Sequence, residues 1–174
     1  SLFVNLKFDS GDGWGECAPA PLPLYNSEYT KGAFAAAHDV FAAQIVGKEI
    51  SSADQLQSLF REFKGHEFTR SAFDSAWWDA HALECGKPLW SLIGGVNQNV
   101  AVGADIPVLS STSALINRVA EAIDQGFPRV KLKFNRTCTI EMIERVRSNF
   151  PDLAMHIDCN SGFTLDDIEM FRAL

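Results

Sequence analysis

The sequence predicts an α+β region over residues 1–95 and, over residues 96–174, the opening strands and helices of a parallel α/β sheet. Two observations carry this. The chain opens on alternating apolar residues, Leu2, Val4, Leu6 and Phe8, and then runs into long segments with helical spacing. After Gly94-Gly95 the texture changes to strand–helix repeats roughly 25 to 30 residues apart, the pattern of parallel strands joined by right-handed crossovers.

In the first region, Leu2–Phe8 and Gly13–Ala18 are expected strands, joined by the turn-rich Asp9-Ser10-Gly11-Asp12. Pro19, Pro21 and Pro23 remove backbone donors and fix φ, so the stretch to Leu24-Tyr25 is a loop. It is either a plain connector or a cover for a substrate. A first helix is expected from Ser27, as N-cap, to Val46, with Gly47 beyond it. A second spans Ser52–Lys64 with Ser52 as cap and Leu56, Leu59, Phe60 and Phe63 in one stripe. A third, Thr69–Cys85, carries Phe73, Ala76, Trp77, Ala80 and Leu83 on one face and ends at Gly86. That aromatic stripe is core packing. Lys87–Gly95 then reads as a short helix ending at a glycine pair.

In the second region the expected strands are Val100–Ala104, Val130–Phe134 and Ala154–Asp158. The helices between and after them are Thr112–Gln125, Thr139–Asn149 and Thr164 onward. Three parallel strands leave open edges, although parallel sheets normally have both faces buried. A closed eight-stranded barrel takes roughly 200 residues or more. The expectation is therefore the front portion of a longer protein, with a non-catalytic, self-associating module as the alternative.

A net charge of −7 argues against nucleic acid as a partner. No apolar run approaches the roughly 20 residues that span a bilayer, so no membrane partner is expected. The first residues have a strand pattern and not that of a secretory leader. Cys17, Cys85, Cys138 and Cys159 lack zinc-ligand spacing and read as reduced thiols of a cytoplasmic protein. His38, His66, His81 and His156 are dispersed and read as structural.

The chemistry concentrates in two short motifs. Residues i and i+2 of a strand share a side, so Lys131 and Lys133 project together, about 7 Å apart. Two close ammonium groups disfavour each other's charge, which would lower the pKa of at least one and suit it to act as a base. Asp158 ends the next strand and is placed to hold a divalent metal beside the lysines. A lone Lys-x-Lys also suits a solvated strand edge, and a lone Asp a turn. Their joint position at the ends of consecutive strands, where α/β sheets gather their active sites, points instead to proton abstraction next to a carboxylate.

Several segments resemble a known family. Gly13-Trp14-Gly15-Glu16-Cys17-Ala18-Pro19, Ala76-Trp77-Trp78-Asp79-Ala80 and Gly86-Lys87-Pro88-Leu89 with Gly94-Gly95 resemble the capping domain of the enolase superfamily. Gly126–Lys133, Phe150-Pro151-Asp152 and Ile157–Thr164 are similar to its muconate-lactonizing branch, above all to o-succinylbenzoate synthases and N-acylamino acid racemases. The resemblance implies an α+β capping domain followed by the first part of a (β/α) TIM-like barrel.

It also implies Mg²⁺, with Mn²⁺ as the alternative, acting on a small carboxylate substrate in a homo-oligomer. By the same resemblance Lys133 is the base and Lys131 its partner. Asp158 is the first of three metal carboxylates, and Asn160 lies near metal or substrate. Leu24 and Tyr25 fall in the loop that closes on the substrate. Asp105, at the end of the first barrel strand, falls where racemase relatives carry a small hydroxyl residue meeting the substrate carboxylate. The implied activity is dehydration in menaquinone synthesis, with N-acylamino acid racemization or dipeptide epimerization as the alternative.

Overall fold

The computed structural model describes residues 1–9, 11–97 and 99–174. Ser10, in the expected hairpin turn, lies outside the described residues. The chain forms two compact units, Ser1–Val96 and Asn97–Leu174. No helix among the described residues is long and apolar enough to cross a membrane.

In the first unit β1 (Leu2–Phe8) pairs antiparallel with β2 (Gly11–Cys17), Leu2 opposite Cys17. Helix α1 (Thr30–Ala35) continues through a π-helical segment (Ala36–Phe41) into α2 (Ala42–Ile45). Then come α3 (Ala53–Phe60), α4 (Glu67–Cys85) and α5 (Leu89–Leu92). Strand β2 lies backbone to backbone on α4. A Cβ on Gly15 would stand 1.9 Å from the Ala72 carbonyl oxygen, and one on Gly13 would stand 2.0 Å from that of Ala76. Only glycine opposite alanine permits that approach. Phe41, Leu56, Phe60 and Phe73 are buried, with the Phe41 and Phe60 rings edge to face at 4.9 Å.

Helix ends follow local chemistry in some places and long-range contacts in others. Ser52 accepts from the Gln55 N–H and Gly86 closes α4 with φ 60°, as its position predicts. Ser27 does not cap the first helix. Tyr29 occupies that position, and the Thr30 N–H donates to the Ala20 carbonyl at 3.0 Å, closing the base of the proline loop instead. The second helix stops at Phe60, short of Lys64. Helix α4 begins two residues before Thr69, on a left-handed His66 that offers no side-chain cap. Its cap comes from Glu28, 7% exposed, whose carboxylate accepts from the Phe68 N–H (2.6 Å), the Thr69 N–H (3.0 Å) and the Thr69 hydroxyl (2.8 Å).

The second unit alternates β3 (Ala104–Ile106), α6 (Thr112–Asp124), β4 (Arg129–Lys133), α7 (Ile140–Asn149) and β5 (Ala154–Asp158). A 3₁₀ turn (Leu165–Asp167) leads into α8 (Ile168–Ala173). The strands are parallel, in the order β3-β4-β5. Val130 and Leu132 of β4 are buried with Ile106, Val119 and Val146. Ser111 and Thr139 cap α6 and α7.

The first strand of this unit is displaced from its predicted place at Val100–Ala104. Val100 and Val102 are 74% and 56% exposed. Ala104 pairs with Val130, so Val102 would face Pro128, which has no N–H for the ladder. The alternation is a strand pattern without a partner, and pairing starts only at Ala104.

Candidate active site

The pleat of β4 turns Val130 and Leu132 into the core and sets Lys131 and Lys133 on the other face. The register then brings groups from three strands into one row. Asp105 of β3 lies opposite Lys131, and Asp158 of β5 lies opposite Lys133. Lys133 Nζ donates to Asp158 Oδ2 at 2.8 Å and to Asn160 Oδ1 at 2.8 Å. Lys131 Nζ stands 3.2 Å from Asp105 Oδ2 and 3.5 Å from Asp158 Oδ2. Carboxylates thus stand between and beside the two ammonium groups whose mutual repulsion the sequence foretells.

Asp158 is the centre of the row. The Lys133 hydrogen bond, the Asn160 N–H and Lys131 hold its carboxyl well below the usual range, at about 2. Its second oxygen, Oδ1, accepts the Asn160 N–H at 3.0 Å, while its backbone carbonyl accepts the Phe134 N–H. Its side chain therefore faces the lysines and does not cap the helix that follows. The turn after it is unusual: Asn160 and Ser161 both have positive φ, 44° and 60°. Asparagine tolerates that conformation and serine rarely adopts it.

Lys131, Lys133, Asp105, Asp158 and Asn160 all belong to this cluster. Leu24 and Tyr25 belong to the other unit, in the proline loop, where they are 85% and 74% exposed. Asp105 sits mid-strand rather than at a strand end, because β3 starts late. His156 pairs in register with Lys131 and is exposed.

Magnesium requires near-octahedral oxygen coordination from several groups. Among the described residues no group of three or more His, Cys, Asp or Glu is placed to hold a metal ion. Asp158 Oδ2 already meets two ammonium groups. These residues by themselves do not form a magnesium site.

Residues 2–94 match the N-terminal domain of the mandelate racemase / muconate lactonizing enzyme family. The chain belongs to that family, within the enolase superfamily. The N-succinylamino acid racemase of Thermus thermophilus is 28% identical over 173 residues, which are 99% of this chain and 47% of that protein. The o-succinylbenzoate synthase of Listeria innocua is 30% identical over 162 residues, 93% of this chain and 43% of that protein. An enolase-superfamily member from Listeria innocua superimposes with a TM-score of 0.93 at 29% identity, covering 99% of this chain and 47% of that one. The chain thus spans under half the length of these relatives. Its first unit is the capping domain of the superfamily, and its three parallel strands are consistent with part of the barrel.

Proposed function

We propose that this chain contributes the base and one metal carboxylate to an enzyme that removes the proton α to a substrate carboxylate, with dehydration, as an o-succinylbenzoate synthase does. The observation that carries the reading is Lys133, held at 2.8 Å from both Asp158 and Asn160 beside Lys131. Two fixed acceptors hold this amine at the end of β4, which supports its assignment as a positioned base. Lys131 supplies positive charge where an enediolate would develop, the electrostatic stabilisation such a step depends on. Relatives of this name, 30% identical or slightly less, support the class.

Asp158 serves a magnesium ion in this reading only together with carboxylates outside residues 1–174. A structural neighbour from Roseovarius nubinhibens, 27% identical, was solved complexed with magnesium, which supports that part of the proposal. A reading of another class is a non-catalytic module that self-associates through the outer strands β3 and β5, with light scattering as its check.

The test is a synthase assay on the full-length gene product with and without added Mg²⁺. Turnover that requires the metal and vanishes in Lys133→Ala supports the reading; metal-independent turnover, or none, sinks it. Racemization is the second reading, favoured by the similarity to N-succinylamino acid racemases. It needs a second base on the opposite face. Incubation of a single enantiomer in D₂O separates the two: racemization gives deuterated, inverted substrate, and dehydration gives an unsaturated product.

A further inference from the structure

Arg136 follows β4 and lies outside the charged row, yet its geometry connects it to the row. Its guanidinium makes a two-pronged contact with Asp167, Nη1 to Oδ1 at 3.0 Å and Nη2 to Oδ2 at 2.9 Å. The same guanidinium lies 5.0 Å over the ring of Phe163. Phe163 in turn stacks on Phe134 at 5.8 Å, one residue past the end of β4. Asp167 completes the brace by accepting the Thr164 N–H at 2.8 Å, in a capping box at the start of the 3₁₀ turn. One arginine thus grips both ends of Phe163–Asp167, from a loop on the neighbouring strand.

The chain between β5 and this brace is Cys159–Gly162, the turn with two successive left-handed non-glycine residues. Such a conformation persists only where the surroundings over-determine it. The turn itself holds one backbone bond, Gly162 N–H to the Cys159 carbonyl, and the Asp158 side-chain bond to the Asn160 N–H. The left-handed turn is what carries the Asn160 side chain back to within 2.8 Å of Lys133 Nζ.

We propose that Arg136 and Asp167 are positioning residues: they clamp the Asn160 turn, and through Asn160 they aim Lys133. A bidentate guanidinium–carboxylate pair suits this task because its planar fork fixes direction as well as distance. The pair keeps itself charged, since Arg136 depresses the Asp167 carboxyl and Asp167 raises the Arg136 guanidinium. The Phe163 ring adds a cation–π contact to the guanidinium, 5.0 Å from its centroid.

The proposal rests on Lys133 being the base, and its test has one readout that does not. In the full-length protein, Arg136→Ala is expected to speed amide hydrogen exchange across Cys159–Phe163 about 10-fold or more with the unfolding midpoint little changed, the mark of local opening. Loss of aim is expected to lower kcat about 10- to 100-fold at nearly constant KM. In an Asn160→Ala background the same substitution is expected to cost nothing further, because both changes break one chain of contacts. Asp167→Asn, which keeps the ring stack, repeats the pattern where Arg136→Ala lowers overall stability. Unchanged exchange in both variants, or losses in kcat that multiply with Asn160→Ala, overturns the clamp. Turnover that survives Lys133→Ala overturns the function assigned to the lysine and leaves the exchange result to judge the clamp alone.

Discussion

Glu28 in the first unit and Asp158 in the second are both carboxylates that gather several donors, and they show two uses of one chemistry. Glu28 is 7% exposed and is met by two backbone N–H groups and a hydroxyl, with no cation among these donors. It completes a helix that begins without a cap of its own, and the start of α4 supplies the favourable positive end for a buried anion. Asp158 is open enough for solvent to reach it, and its partners are two ammonium groups and one N–H. A carboxylate satisfied by fixed backbone donors stabilises a fold. One satisfied by lysine ammonium groups within reach of solvent is available to exchange partners, as a site must.

The contrast breaks most sharply at the lysine. Lys133→Ala in the full-length protein is expected to lower kcat by about 10²–10⁴-fold or more, with the circular dichroism spectrum preserved. Near-normal kcat would place Lys133 beside Glu28 as a structural group. Glu28→Ala is expected to do the reverse. Buried donors left without an acceptor should cost roughly 3 kcal/mol in denaturant unfolding, while kcat of the folded fraction stays within a few-fold of normal. A Glu28 variant that unfolds at the wild-type midpoint would remove the capping role.

Acid sharpens the comparison further. The Asp158 carboxyl titrates at about 2 in the fold against an ordinary 3.8. A depressed carboxyl adds stability that is fully present above the ordinary value and disappears as pH falls through the folded one. The unfolding temperature should therefore drop between about pH 4 and pH 2, and Asp158→Asn should flatten that part of the profile. A profile identical in the variant would mean that the lysine contacts do not persist in solution. The smallest effect is expected at Asp105, the more exposed carboxylate on Lys131. Asp105→Asn should change stability by less than about 1 kcal/mol, the ordinary worth of a surface pair.

Two helix ends of the first unit were legible because their signals are local: Ser52 ahead of an apolar stripe, Gly86 behind one. The first strand of the second unit was not, since Val100 and Val102 alternate as a strand should but lack a partner able to pair with them. Lys131, Lys133 and Asp158 could be read as one cluster because strand periodicity and chain order fix their faces. Arg136 could not, because nothing local distinguishes a clamp from a solvated arginine.

Periodicity, caps and turn residues, all interactions between near neighbours in the chain, determined which segments become helices, which lysines share a face and where Asp158 ends its strand. Register, burial and reach across the chain required the fold. Only there does Glu28 find the start of a helix about 40 residues on, Asp105 come opposite Lys131, and Arg136 lock the turn that returns Asn160 to Lys133. Those pairings depend on distances in space that the order of residues does not encode pair by pair, because each is set by the packing of every element between them.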